Sequence, residues 1–412
     1  MRRFVFDVVE GVRIAIQAIW ANRMRSALTT LGVIIGIAAV TLMATVINGI
    51  DREFETALSR IGSDVLYVNR TPNNTRGEWW RYRNRPPIRP NLVPAIQKRS
   101  QFAEAVAPLV DTDRTLRYKE REMEPESITG STPAYGRVRN VELAKGRFLT
   151  QADERGARNV CVIGASVADE LFPIATPLGK TIQLGSASCT VIGVQERKGD
   201  TMFSAPSPDE RVIVPFSTFE KLFGVSRERD MMVMTKVASS VTLDRARDEL
   251  TGILRMARDV PPGADNNFAI IDQQQIRSNF STVKVGIYGV GLFLTGLALV
   301  VGGIGVMNIM FVSVRERTKE IGIRKAVGAK KYTILLQFLI EAVIVCLIGG
   351  VIGVGVSALG AMGVRAVGFT AALPVQTVIL AFAICVGVGI LFGIAPAWQA
   401  ATADPIEALR YE

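Results

Sequence analysis

Four long runs of apolar residues dominate the pattern of the chain. They are residues 28–50, 285–314, 332–364 and 373–400. Glu341 is the one charged residue among them. About 20 helical residues are enough to cross the ~30 Å hydrocarbon core of a bilayer. Each run is therefore predicted to be a transmembrane helix, and the long segment between the first two is predicted to be a separate folded domain.

The positions of lysine and arginine predict the orientation of these helices. Residues 1–27 contain five Lys and Arg, and residues 315–331 contain seven. Cations beside a membrane span are retained on the cytoplasmic side. Both segments are thus expected in the cytoplasm, with residues 51–284 and a short loop at 365–372 outside and the tail at 401–412 inside. Both termini are then cytoplasmic.

The first 27 residues carry apolar side chains at helical spacing and charges on the opposite side. This pattern is typical of an amphipathic helix lying in the membrane interface. A plain cytoplasmic extension of the first span is the alternative. A cleaved signal peptide fits poorly, because the apolar run begins late and is too long.

Residues 51–284 alternate between strand and helix patterns, which predicts an α+β domain of two subdomains. Short strands with glycine and proline between them fill residues 111–209, and we interpret this part as a β-rich insert. The flanking parts predict one α/β subdomain. An Arg- and Trp-rich stretch at 76–90 is interpreted as a solvated loop or as a contact for lipid headgroups or an acidic partner.

Composition excludes several classes of function. The net charge is +10, but residues 51–284 contain 34 Lys and Arg against 30 Asp and Glu, which is not the pattern of a nucleic-acid-binding domain. The chain has no histidine, so histidine-based catalytic triads and metal sites are excluded.

The segment LGKT resembles the end of a phosphate-binding loop, but Ile174 stands where that motif needs glycine. No catalytic residue, metal ligand or bound cofactor is predicted.

The cysteines leave one question open. Cys346 and Cys385 lie within the apolar runs, whereas Cys161 and Cys189 lie in the folded domain. The second pair could form a disulfide in an oxidising compartment, or could be two buried thiols in strands.

Small and polar residues within the spans predict contacts between helices. Glycines recur at four-residue spacing, which lets helix backbones approach closely within a bundle or against a second copy. These glycines are Gly32, Gly36, Gly349, Gly353, Gly389 and Gly393. Glu341 and Asn308 are the intramembrane polar candidates. A buried carboxylate requires a partner, so we expect Glu341 to make a structural hydrogen bond or to lie near the cytoplasmic surface.

The short charged segment between the second and third spans combines charges of both signs with apolar residues. This pattern is typical of an amphipathic helix that places apolar side chains in a groove and pairs charges around its rim. We therefore predict a docking element, rather than a simple loop that stops translocation. The residues expected to carry it are Arg315, Glu316, Arg317, Lys319, Glu320, Ile321, Ile323, Arg324 and Lys325.

Several motifs resemble the MacB-type permeases of ABC transporters, within the wider FtsX-like group. They are NRMRSALTTLGVIIGIAAV, VIGASVADELFP, PLGKTIQLG, TVIGV, VMNIMFVSVRERTKEIGIRKAVGA and APAWQAATADPIEALRYE. The resemblance covers essentially the whole chain.

The resemblance implies a non-catalytic subunit in the bacterial inner membrane that forms a dimer with a second copy or a paralogue. Residues 315–331 would contact the ATPase, which binds ATP and Mg. The namesake exporters carry an ATPase domain in the same polypeptide and this sequence departs from that pattern, so we expect the ATPase to be a separate subunit. A periplasmic adaptor and an outer-membrane channel are further expected partners, and drugs, peptides or lipoproteins are expected substrates. The alternatives are a membrane-anchored receptor or sensor, a regulator of an envelope enzyme, and an anchored hydrolase.

Overall fold

The computed structural model describes residues 23–72, 80–199, 207–224, 231–366, 371 and 373–410. The chain divides into two compact units. One contains the residues up to Arg52 together with those from Val283 onward, and the other contains Glu53–Thr282. We call the first the membrane unit and the second the core domain.

The chain forms thirteen described α-helices and ten described strands. The helices are α1 (Arg23–Ile61), α2 (Trp80–Arg83), α3 (Leu92–Arg99), α4 (Ala134–Val138), α5 (Gln151–Arg155), α6 (Ala165–Leu171), α7 (Phe216–Phe223), α8 (Leu243–Ala257), α9 (Gln273–Glu316), α10 (Thr318–Ala326), α11 (Lys331–Ala366), α12 (Val375–Thr402) and α13 (Pro405–Arg410). The strands are β1 (Val65–Asn69), β2 (Ala103–Tyr118), β3 (Arg121–Ser131), β4 (Leu143–Gly146), β5 (Val160–Ile163), β6 (Thr181–Leu184), β7 (Ala187–Gln195), β8 (Val212–Pro215), β9 (Met232–Val237) and β10 (Ala269–Ile271).

Helices α1, α9, α11 and α12 are long and apolar enough to cross a membrane. Together with the α/β core domain they confirm the predicted fold class. The helices extend beyond the apolar runs, because backbone hydrogen bonding continues where the side chains become polar. Residues 1–22, most of the predicted amphipathic helix, lie outside the described part of the chain. So do residues 367–370 and 372 of the predicted loop after α11.

One sheet organises the core domain. Its strand order is β10-β1-β9-β2-β3-β8-β5-β7-β4, and β6 pairs with β2 and β7. Only the β3–β8 and β5–β7 pairs are parallel; the other pairs are antiparallel. Strand β2 runs through the predicted boundary at residue 111, and β3 pairs with β8, which follows the predicted insert. The sheet is therefore continuous across the two predicted subdomains.

Both faces of this sheet are buried at β1. Along β1, Leu66 and Val68 belong to one hydrophobic core, whereas Val65 and Tyr67 belong to a second. Successive side chains of a strand point to opposite faces. The strand is consequently apolar at consecutive positions rather than at alternate ones.

Cys161 on β5 and Cys189 on β7 form a disulfide in the structure. The two strands are neighbours, and the Cα atoms of the two cysteines are 5.9 Å apart. Both residues are buried in the larger core. The pairing that the sequence left open is thus a bridge between adjacent strands.

The acidic group around Glu126 on β3 predicts a pH-dependent stability of the core domain. Burial raises the pKa of Glu126 to about 7, and the nearby carboxylates of Glu210, Glu170, Asp113 and Glu124 add to the shift. Because this value lies above the unfolded one, the folded state holds a proton that the unfolded state has released between about pH 4.5 and pH 7. Stability therefore falls as the pH rises through this range.

Glu126→Gln is expected to leave the unfolding temperature of the full-length protein unchanged near pH 4 and to raise it at pH 8. Thermal unfolding in nanodiscs at the two pH values measures this. Glu122→Gln is the matched control, because Glu122 is exposed on the same strand. An equal change for Glu126→Gln at both pH values would contradict the explanation.

Candidate functional site

Helix α10 contains most of the residues predicted to form the docking element. It lies between α9 and α11 in the chain, and Arg317 occupies the position immediately before it. Ile321 and Gly322 are buried, whereas Ile323 is exposed. With 3.6 residues per turn, these positions assign one face of α10 to the protein interior and leave another uncovered.

The inner face of α10 joins the hydrophobic core of the membrane unit. Ile321 belongs to the same buried cluster as Val314 of α9 and Ile334 and Phe338 of α11. Ile321 therefore holds the helix against the spans and is not available to a partner.

Arg317, which is partly exposed, forms an ion pair with the buried Glu341 of α11. Its Nη1 lies 3.3 Å from each carboxylate oxygen, and Glu341 is only 3% exposed. Arg317 is therefore the partner that a buried carboxylate at position 341 was predicted to need. The ion pair connects the turn between α9 and α10 to helix α11. Removing one member would leave a charge unpaired in an apolar environment.

Arg324 and Lys325 are also occupied within the chain. Arg324 Nη1 donates to Oε1 of Gln337 on α11 at 3.0 Å, and Nη2 donates to Oε1 of Glu320 one turn earlier at 2.5 Å. Lys325 Nζ donates to the backbone oxygens of Ala401 at 2.7 Å and Ala403 at 2.6 Å. A cation at the end of α12 satisfies carbonyls that have no partner within the helix.

The environment of Lys325 lowers its pKa. Burial is the main cause and the nearby Lys331 contributes, while Asp404 opposes the shift. Helix α10 also packs against α13, the short helix that follows α12. The described contacts of α10 thus tie it to α11 and to the end of α12.

The outer face of α10 presents a different set of side chains. Ile323 is 51% exposed, and Val327, directly after the helix, is 85% exposed. Arg315, Glu316, Lys319 and Glu320 are exposed on the same segment. Two exposed lysines, Lys330 and Lys331, follow Val327. We call Lys319, Ile323 and Val327 the outer face. Apolar side chains among charges are suited to a groove in another protein.

The predicted glycines lie where helices of the same chain meet. A Cβ on Gly32 would lie 2.7 Å from Cα of Gly302 on α9, and Gly36 faces Leu299 of the same helix. Gly349 and Gly353 of α11 face Val33 and Ile37 of α1. Gly389 and Gly393 of α12 face Val343 and Ala342 of α11. The stripes therefore permit close packing inside the bundle.

Asn308 is placed differently from Glu341. It is exposed on α9, and none of the described hydrogen bonds involves its side chain. The structure therefore does not bring the two intramembrane polar residues together.

Sequence reasoning missed some residues of this site. Gly302 was not recognised, because its spacing from other glycines follows no four-residue pattern; the doublet with Gly303 was the available signal. The acceptors of Lys325 are backbone carbonyls, which no side-chain pattern reveals. Within the described ranges, no three carboxylates or thiols come together as metal ligands.

Two family models match the chain. Residues 26–253 match the MacB-like periplasmic core domain, and residues 292–405 match the FtsX-like permease C-terminal model. The first match alone covers more than half of the chain.

Curated relatives match almost the whole chain. The macrolide export ATP-binding/permease protein MacB of Rhodopirellula baltica is 32% identical over 433 residues, covering 98% of this chain and 62% of the relative. The protein of the same name from Neisseria meningitidis serogroup A is 36% identical over 414 residues, covering 99% and 62%. The chain thus spans about three-fifths of the length of these relatives.

Among solved structures, the periplasmic region of MacB from Actinobacillus actinomycetemcomitans aligns with a TM-score of 0.46 and 20% sequence identity. The alignment covers 54% of this chain and 95% of that one. The family models match the core domain and the C-terminal spans in the order in which the structure shows them. The chain belongs to the family of MacB-like ABC transporter permeases with an FtsX-like transmembrane part.

Proposed function

We propose that this chain is the permease subunit of an ABC transporter, driven by an ATPase on a separate polypeptide. The ATPase binds ATP and Mg, and the permease answers ATP hydrolysis with a change of conformation in its core domain. The relatives are named as macrolide exporters, which supports export of drugs, peptides or lipoproteins across the bacterial envelope.

The attachment of α10 carries this proposal. One side of the helix is anchored by Ile321 and by the side chains of Arg317, Arg324 and Lys325, and the other side exposes Ile323 and Val327. A force applied to the exposed side by a bound partner would move α11 and the end of α12 as well, because the anchoring contacts leave α10 little freedom to move by itself. An element that transmits movement requires this combination.

The rest of the assembly follows from the same proposal. The segment 315–331 and both termini lie in the cytoplasm of a cell whose inner membrane the four helices cross. The exposed Asn308 supports a second permease copy, because an amide facing lipid costs free energy that a hydrogen bond to another helix recovers. A periplasmic adaptor and an outer-membrane channel complete the proposed export route.

Replacing both apolar residues of the outer face tests the docking role. Ile323→Asp combined with Val327→Asp is expected to abolish co-purification of the ABC ATPase with the full-length permease. Both side chains are exposed, so the variant should keep its unfolding temperature while losing apolar contact with the partner. Mass spectrometry identifies the ATPase, mass photometry counts permease copies, and the ATP hydrolysis rate of the complex reports coupling.

Ile174→Asp is the matched control, because Ile174 is 97% exposed in the core domain. It should leave co-purification intact. Undiminished ATPase association with the outer-face variant would contradict the docking role. A wild-type protein that binds no ABC ATPase would favour a receptor or sensor.

A further inference from the structure

A groove lies between α3 and α8 on the core domain. Its volume is about 380 Å³, within the range of roughly 300–1,000 Å³ of ligand pockets. Pro94, Ala95, Met256 and Ala257 form an apolar floor, and Met256 is 63% exposed. Lys98 and Arg99 line the groove beside this floor. The groove therefore joins apolar surface to positive charge.

The positive charge continues into the Arg-rich stretch before α3. Arg258, directly after α8, donates from Nη2 to the backbone oxygen of Pro86 at 2.8 Å. Burial lowers the pKa of Arg258, and the nearby guanidinium groups of Arg85 and Arg89 lower it further. Arg258 directly follows Ala257, which lines the groove, so its charge adds to that of the two lining cations.

The nearby acidic side chains do not neutralise this surface. Glu249 of α8 accepts hydrogen bonds from Ser100 Oγ at 2.5 Å and from the backbone nitrogen of Gln101 at 2.7 Å. Asp265 contributes an opposing charge near Arg85. Asp259 directly follows Arg258 and is exposed. The five cations Lys98, Arg99, Arg85, Arg89 and Arg258 outnumber these three carboxylates.

Several of the cationic side chains are fixed in position. Arg258 Nε donates to Oδ1 of Asn267 at 2.7 Å, and Arg255 Nη1 donates to Oδ1 of Asn266 at 2.7 Å. Arg99 Nη1 lies 2.9 Å from Sδ of Met256, which brings the two helices together across the groove. Side chains that are already ordered lose little further entropy when a ligand binds.

We propose that this groove binds an acidic, amphipathic segment of a partner protein. Apolar side chains of the segment would cover the floor, and its carboxylates would pair with Lys98 and Arg99, which line the groove. Arg258 already donates from Nε, Nη1 and Nη2 to protein oxygens, so it would attract the segment by its charge alone. Planar guanidinium groups match carboxylates in geometry. The floor consists of four residues, which suits a few side chains of a peptide better than the long acyl chain of a lipid. Binding of such a segment in the groove is independent of the proposed contact between α10 and an ATPase.

Fluorescence anisotropy tests the proposal with the full-length protein in phosphatidylcholine nanodiscs. The probe is a labelled synthetic helical peptide with glutamate on one face and leucine on the other. We expect saturable binding that weakens about tenfold in the variant Lys98→Glu with Arg99→Glu, since two attractive charges become repulsive. Met256→Asp should weaken binding through the floor instead.

Lys180→Glu with Lys221→Glu is the matched control, because it makes the same change of charge at two exposed lysines of the same domain. It should bind the peptide as the wild type does, and all variants should keep the wild-type unfolding temperature. Equal weakening by the groove variant and the control would overturn the proposal. So would binding to free vesicles containing phosphatidylglycerol without binding to the peptide.

Discussion

Arg317→Ala is expected to destabilise the membrane unit by about 3–5 kcal/mol, the typical cost of leaving a buried charge without its partner. Glu341 is 3% exposed, and its carboxylate lies 3.3 Å from the Arg317 guanidinium. Without that guanidinium the carboxylate remains in an apolar core. The apparent unfolding temperature in nanodiscs, measured by intrinsic fluorescence, should fall well below that of the wild type.

Two further variants distinguish the effect of losing the ion pair from a general effect of substitution in this region. Arg317→Leu with Glu341→Leu removes both charges and should recover much of the loss, since a buried ion pair contributes little net stability. Glu320→Ala breaks the exposed pair with Arg324 one turn away and should change stability by no more than about 0.5 kcal/mol. If Arg317→Ala were as mild as Glu320→Ala, the buried pair would not anchor α10.

Gly302→Leu is expected to prevent accumulation of the folded protein. A Cβ at position 302 would lie 2.7 Å from the backbone carbon of Gly32 and 2.7 Å from the nitrogen of Val33. Neither backbone atom can move aside without separating α1 from α9. The smaller change Gly302→Ala should already cost about 1–3 kcal/mol, as overpacked cores do. Yield of monodisperse protein and unfolding temperature measure both variants.

Gly296→Ala and Gly296→Leu are the controls on the same helix. Apart from its chain neighbours and the backbone of its own helix, no heavy atom lies within 4 Å of a Cβ at position 296. Both control variants should therefore accumulate and unfold as the wild type does. Equal tolerance of leucine at positions 296 and 302 would show that α1 and α9 do not pack through Gly32 and Gly302.

Local patterns were sufficient for most of the secondary structure. The segments VLYVN, TIQL and MVMTKV, which form strands β1, β6 and β9, contain the apolar and β-branched residues that favour strands. The four long helices could also be predicted locally, because the length and hydrophobicity of each apolar run are properties of consecutive residues. Local patterns do not show how the predicted β-rich part, residues 111–209, joins the rest of the sheet. Its strands share hydrogen bonds with strands outside it, and such pairing joins residues far apart in the chain.

The charged segment that contains α10 shows the same division between local pattern and tertiary contact. Its composition predicted an amphipathic helix, and α10 is a helix with one buried and one exposed face. The sequence did not assign faces, because Ile321 and Ile323 are equally apolar and only the packing of α9 and α11 buries the first. Likewise, Arg317, Arg324 and Lys325 look like solvated cations until folding brings a carboxylate, an amide and the end of α12 to them.

The sequence by itself determined the class of the protein: four membrane helices, an α/β domain and the motifs of the MacB-like permeases. These depend on the order and composition of neighbouring residues. Tertiary structure alone decided which glycines meet, that Cys161 bonds to Cys189, and which side of α10 remains open to a partner. Each of these features depends on contacts between residues far apart in the sequence, and such contacts form only when the helices and strands pack together.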